Sequence, residues 1–239
     1  MTLRIAMWSG PRNISTAMMR SWENRPDCSV VDEPFYACYL SESSVEHPYR
    51  EEILAAQSSD RGEVIAQLTT APVTSELHYQ KHMTHHMPSG IDMGWCAPLQ
   101  HCFLIRDPNE VIVSYLKKMP SISEDAIGIV RQAELFDEIT AIRGEEPLVI
   151  DSNDVLRNPD RVLGKLCEGL GVPFLPGAML HWPAGRRDSD GVWASHWYQN
   201  VEASTGFARF QQQDARVPAE HRELAERMIP LYEKMAARR

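Results

Sequence analysis

Along this chain, short apolar runs alternate with longer stretches whose apolar positions recur every three or four residues. Residues 3–8, 28–32, 77–83, 101–105 and 147–150 are short and mostly apolar, as strands of a covered sheet are. Between them, 15–22, 61–70, 108–117 and 123–143 read as helices. This alternation predicts an α/β fold, a three-layer sandwich whose central, mostly parallel sheet is flanked by helices on both faces. A later helix is signalled by Asn158 in a capping position and Pro159 in the first turn. Its Val162, Leu163, Leu166, Cys167 and Leu170 share one face before Gly171 stops it. Residues 219–237 form a second amphipathic helix with Leu224, Met228, Leu231, Tyr232 and Met235 as its stripe. The intervening 173–210 is rich in Pro, Gly, Trp and Arg and shows little periodicity. An irregular stretch of that length in a compact domain usually serves a binding site, so it is expected to fold over a ligand.

Composition narrows the picture. A chain of 239 residues with 43% hydrophobic content can bury one substantial core, and no repeat or linker divides it, so a single domain over 1–239 is expected. No apolar run approaches the roughly 18 residues of a membrane helix, and the first residues turn polar too quickly for a signal peptide. Five scattered cysteines without a CxxC pair suggest reduced thiols, and the expected location is cytoplasmic. A net charge of −9 argues against nucleic acid as a partner, although locally gathered basic residues can still hold an anion.

Two segments gather such residues. The first strand runs through Ser9-Gly10-Pro11 into Arg12, Asn13, Ile14, Ser15 and Thr16, and then into a helix. A strand–loop–helix turn aims backbone N–H groups and the positive helix end at one point, which suits a phosphate or sulfate. The nucleotide triphosphatase loop GxxxxGK[ST] is absent, since no Lys-Ser or Lys-Thr pair follows. An ordinary N-capped helix explains the loop about equally well. In the second segment an apolar strand ends at Arg106, Pro108 opens a helix, and Ser114 lies about two turns in. The cation and the hydroxyl can converge on one phosphate; alternatively, Arg106 pairs with Asp107 or Glu110 at the surface.

With these motifs in hand, the chain resembles the sulfotransferase superfamily, which combines an N-terminal phosphosulfate loop with an R-(D/N)-P-x-(D/E)-x-x-x-S segment. Residues 12–16 match a bacterial-type form of the loop, and Arg106 with Ser114 match the pair that holds the nucleotide's 3′-phosphate. The stretches 148–159 and 166–173 are similar to the family's "ED-L-x-x-P … L-LG-P" signature. Gly185-Arg186-Arg187, followed by Asp190-Gly191-Val192-Trp193, resembles its closing basic–glycine–tryptophan segment. The resemblance implies a P-loop-like sulfotransferase fold and 3′-phosphoadenosine 5′-phosphosulfate (PAPS) as co-substrate, with no metal expected. It implies that Arg12, Asn13, Ile14, Ser15 and Thr16 cradle the 5′-phosphosulfate, while Arg106, Ser114, Arg186 and Arg187 hold the 3′-phosphate.

For the chemistry, Glu33 follows the second strand at the crevice edge of the sheet, where related enzymes place a general base; Asp32 is a weaker version of the same idea. Lys81 resembles the lysine of the family's K-x-H-x-P strand, which supports the leaving oxygen. The histidine register departs from that pattern, so His82, His85 and His86 all stand as base candidates. With His78 they could instead bind zinc, but HExxH is absent and no cysteine lies among them. Trp193, Trp197 and Tyr198 could stack on adenine or wall the acceptor pocket, but read more readily as lid packing. The expected activity is therefore sulfuryl transfer from PAPS to a hydroxyl or amine on a small-molecule or glycan acceptor, chosen by loops such as 35–47 and 87–97. A non-catalytic nucleotide-binding protein on the same scaffold is the alternative, and a P-loop phosphotransferase a more distant one.

Overall fold

The computed structural model describes residues 2–45, 47–119, 121–212 and 215–239. Met1, Glu46, Pro120, Gln213 and Asp214 lie outside this description, so the expectations over 1–239 and 35–47 are followed without them. Five strands, β1 (Leu3–Ser9), β2 (Cys28–Asp32), β3 (Leu77–Met83), β4 (Gln100–Ile105) and β5 (Leu148–Asp151), form one sheet in the order β2-β3-β1-β4-β5. Every pairing is parallel. The sheet carries the anticipated strands to within one residue at either end. Their near-continuous apolar character follows from burial on both faces.

Strand alternation divides the core. Ile5, Met7, Tyr79, Cys102 and Leu104 point to one face, where Met18 and Trp22 of α1 (Ser15–Glu23) cover them. Ala6, Trp8, Phe103 and Ile105 point to the other. Helices α2 (Tyr36–Glu42), α3 (Arg50–Ala56) and α4 (Arg61–Thr69) link β2 to β3, and α5 (Pro108–Leu116), α6 (Glu124–Ile127) and α7 (Ile129–Arg143) link β4 to β5. Beyond β5 come α8 (Ser152–Arg157), α9 (Pro159–Gly169), α10 (Pro176–Met179), α11 (Ala194–Trp197), α12 (Gln199–Glu202) and α13 (Arg222–Ala236). Asn158 caps α9 as its sequence predicts, accepting from the Arg161 N–H at 3.1 Å. The last three short helices interrupt 173–210, together with a bridge between His181 and Gly206.

One predicted helix is corrected. Residues 123–143 do not run continuously, because Gly128 adopts φ 70° and separates α6 from α7. A Cβ there would lie 2.8 Å from Thr84 Oγ1, whose hydroxyl donates to the Gly128 carbonyl. The break seats the 3₁₀ turn Thr84–His86 after β3 against the α6–α7 junction. Consecutive strands lie to one side of β1 and then to the other, so the loops after β1 and β4 flank the switch point, where open α/β sheets bind ligands.

Candidate active site

The loop after β1 is held by close backbone approach and by strained residues. Gly10 passes so near the α6 terminus that a Cβ would sit 2.7 Å from the Ile127 carbonyl. Arg12 and Ile14 both adopt left-handed φ, 65° and 57°, a conformation costly for a non-glycine residue, above all a β-branched one. Ile14 occupies the N-cap of α1 and supplies no capping side chain, so the first turn lacks the cap that a Ser or Asp would provide. Instead, Ser15, Thr16 and Ala17 face a cavity of about 340 Å³, with Pro11, Arg12 and Ile14 along the same rim. Asn13 does not join them. Its Nδ2 donates to the Leu104 carbonyl at 3.1 Å, and its own carbonyl accepts from Ser152 Oγ at 2.9 Å, so it pins the loop to the sheet from below.

Arg106 and Ser114 line the same cavity. Arg12 Nε donates to Ser114 Oγ at 3.1 Å, and Arg106 Nη1 donates to the Arg12 carbonyl at 2.7 Å. The pairing of Arg106 with Glu110 does form, at 2.9 Å, but away from the surface: the two side chains are only 9% and 12% exposed. Glu110 is itself fixed by Asn153 Nδ2 at 3.0 Å. Among the described residues, Arg106 Nη2 has no partner. Burial, and then the neighbouring Arg106 charge, lower the pKa of Arg12. Two guanidiniums in one partly buried pocket repel each other, and an anion between them removes that penalty.

Across the cavity, β2 ends in a buried polar cluster. Glu33 turns the chain with φ 45° and donates its N–H to the Lys81 carbonyl at 3.0 Å. Lys81 Nζ contacts Asp32 Oδ1 at 2.8 Å, Glu33 Oε1 at 2.6 Å and Tyr198 Oη at 2.5 Å. An ammonium has three N–H groups, and all three are engaged, so none points toward a leaving oxygen as the resemblance implies. Burial alone would depress the Lys81 pKa, but Asp32 and Glu33 reverse this and hold it well above the usual value. The pKa of Glu33 is raised by burial, against the pull of Lys81. Glu33 Oε2 has no hydrogen-bond partner among the described residues; His86 Nε2 lies 3.9 Å from it.

The histidines separate by position. His82 follows Lys81 on β3, so its side chain projects to the opposite face of the sheet. There it stacks on Trp8 at a centroid distance of 4.4 Å and bonds Gln80 Oε1 at 3.1 Å, away from the cavity. His85 does line the cavity, as a neutral ring whose pKa burial pushes down to about 4. His86 is buried between Tyr36 and Tyr39, with neither ring nitrogen bonded. His78 lies at the start of β3 beside Ser29 Oγ. The four do not converge, and among the described residues no group of three or more His, Cys, Asp or Glu is placed to hold a metal ion.

The remaining wall comes from the irregular segment: Trp193, Trp197 and Tyr198, and then residues 200–208 in part. Tyr198, read from sequence as packing, is the residue that sequence reasoning most undervalued. Nothing in its flanking residues signals a partner 117 positions away. Arg186 and Arg187 are not brought to the cavity. The turn that carries them is tied to α1 by a buried Arg20–Asp190 ion pair of 2.6 Å, and Arg187 faces Glu23 near the C-terminal end of α1.

Fold and site together define an α/β protein of the P-loop-like kind, with two guanidiniums beside the loop after β1 and a buried carboxylate lining the same cavity. Residues 3–239 match the family model described as "Sulfotransferase domain", and the chain belongs to that family. Two Arabidopsis thaliana proteins, branched-chain-amino-acid aminotransferase-like proteins 2 and 1, are 33% and 34% identical to it over 95% of its length. The chain spans only 40% of either relative. Among solved structures, a sulfotransferase from Alicyclobacillus acidocaldarius superposes with a TM-score of 0.58 at 12% identity, covering 100% of this chain and 97% of that one. A mouse sulfotransferase complexed with PAP gives 0.50 at 14% identity, covering 98% and 83%. Among the described residues, no helix is long and apolar enough to cross a membrane.

Proposed function

We propose that this chain is a sulfotransferase that takes its sulfuryl group from PAPS and delivers it to a hydroxyl or amine, acting as one cytoplasmic domain whose 173–210 segment covers the bound ligands. The observation that carries this reading is the placement of Arg12, Arg106 and Ser114 beside the uncapped start of α1, with Glu33 in the wall of the same cavity. The donor set fits the nucleotide. The α1 N-terminus with Ser15 and Thr16 suits the 5′-phosphosulfate, and Arg106 Nη2 with Ser114 suits the 3′-phosphate. Arg12, bonded to Ser114 and at the rim of the loop, serves both ends.

In this reading Glu33 is the base. Lys81 fixes Oε1, which leaves Oε2 to take the acceptor proton as the acceptor's bond to sulfur forms and the sulfur–oxygen bond to the nucleotide phosphate breaks. Lys81 then acts as a positioning residue, orienting Glu33 and opposing the protonation that burial favours. His85 remains a second base candidate on the cavity wall. Binding supplies the test. Titration should show 3′-phosphoadenosine 5′-phosphate (PAP) bound far more tightly than AMP, because only PAP carries the phosphate that Arg106 and Ser114 would hold. Equal, weak binding of the two overturns the proposal.

A further inference from the structure

The acceptor end of the cavity differs sharply from the nucleotide end. Its charged groups are Glu33 and Lys81, backed by Asp32: two carboxylates against one ammonium. Lys81 has every N–H engaged, so among the described residues this end offers no cation to an acceptor's carboxylate, phosphate or sulfate. The two histidines that line it, His47 and His85, do not supply one. His47 Nε2 lies 2.6 Å from the Tyr36 hydroxyl and its Nδ1 lies on the Pro48 carbonyl, a pattern satisfied by a neutral ring that accepts from the phenol. Burial lowers the pKa of both His47 and His85.

The walls are aromatic and set at steep angles. Tyr36 meets Trp193 at 65° with centroids 5.0 Å apart, and meets His47 at 70° and 5.3 Å, while Trp197 borders the same space. Tyr36 and Trp193 pack on one another and, with Trp197, line the cavity beside the buried carboxylate; aromatic rings so placed attract a cation through their quadrupoles, most strongly where water is excluded. A nucleotide bound at the other end adds several negative charges to the cavity, which further favours a cation here and disfavours an anion.

Resting on the sulfotransferase reading, we propose that the acceptor is an alcohol carrying a cationic amine, its ammonium group against Tyr36, Trp193 and Trp197 and its hydroxyl toward Glu33 Oε2. The sulfur–oxygen bond then forms at that hydroxyl, whose proton passes to Glu33, and PAP departs with the electron pair of the broken bond.

Calorimetric titration of PAP-saturated protein tests this with two probes of matched shape, choline and its uncharged carbon analogue 3,3-dimethylbutan-1-ol. Choline should bind about tenfold or more tightly than the analogue. Trp197→Leu, which keeps an apolar surface but removes the ring, should erase most of that preference while leaving PAP affinity unchanged. Equal affinities, a preference for the uncharged alcohol, or no detectable binding of either probe overturns the acceptor assignment and leaves the donor reading standing. Failure of PAP itself to bind, measured first, removes the donor reading and the acceptor assignment with it.

Discussion

The hydroxyl of Tyr198 donates to Oδ2 of Asp32 across 2.7 Å, joining two residues 166 positions apart. The same oxygen accepts from Lys81 Nζ at 2.5 Å and from Trp193 Nε1 at 3.1 Å. One donated and two accepted bonds exhaust a phenol, so its 3.4 Å approach to Glu33 adds no fourth bond. The irregular segment is thereby latched to the carboxyl end of β2, beside the proposed base.

Tyr198→Phe should release that latch. It leaves Trp193 Nε1 without its acceptor and strips Asp32 Oδ2 of all but the Gly191 N–H at 3.4 Å. Leaving buried polar groups unsatisfied costs about 1–3 kcal/mol. Urea unfolding should show a loss of that size, with turnover falling more than PAP affinity. An unchanged unfolding midpoint would mean that the network does not form in solution.

Arg106→Ala should act on the nucleotide. A hydrogen bond to a charged group contributes about 1.5–3 kcal/mol, so PAP affinity should fall roughly 10- to 100-fold, with AMP affinity much less affected. Ser114→Ala removes a neutral hydroxyl and should have the smaller effect. Parallel loss of PAP and AMP affinity in Arg106→Ala would show that the side chain holds the loop, through the Arg12 carbonyl, instead of a 3′-phosphate.

How much of this was legible in sequence follows from the range of the interactions. The strands and α9 were readable because burial on two faces and a local Asn-Pro start leave marks within a few residues. Arg106 and Ser114 were legible for the same reason, being eight positions apart on one strand–helix unit. The break at Gly128 was passed over although a left-handed glycine is an ordinary helix stop; the Thr84 hydroxyl that meets its carbonyl comes from a different stretch of chain. His82 illustrates the finest failure. The sequence places it next to Lys81, and only the strand's alternation decides that Lys81 enters the cavity while His82 stacks on Trp8. Arg186 and Arg187 were misplaced because their turn is positioned by Asp190 on Arg20, a contact over 170 residues.

Glu33→Gln should remove the base. General base catalysis contributes typically 10²–10⁴-fold, and a loss in that range is expected with PAP affinity intact. The pH dependence carries a sign. Burial raises the Glu33 pKa, and only the ionised form accepts a proton, so the acid limb of kcat/KM should lie above the ordinary glutamate value of about 4.3. A limb at or below that value assigns the proton transfer to another group. The same upward shift means that the folded protein holds this proton more tightly than the unfolded chain, so Glu33 opposes folding as pH rises through that window.

The buried histidines predict the opposite trend on the acid side. Desolvation pushes the pKa of His82 down to about 3, and those of His78, His85 and His101 to about 4. In the unfolded chain each returns to about 6.5. Below that value the unfolded state takes up protons that the folded state refuses, so stability present above about pH 6.5 is lost as pH falls toward these depressed values. Urea midpoints should therefore change little between about pH 8 and 7 and decline steadily below about 6.5, well before most carboxylates titrate. His82→Phe separates this effect from the active site. It keeps an aromatic ring against Trp8 but cannot be protonated, so its acid decline should be shallower while PAP affinity stays unchanged. A decline as steep as that of the parent protein would place the titrating groups elsewhere, and a loss of PAP binding would contradict the assignment of His82 to the far face of the sheet.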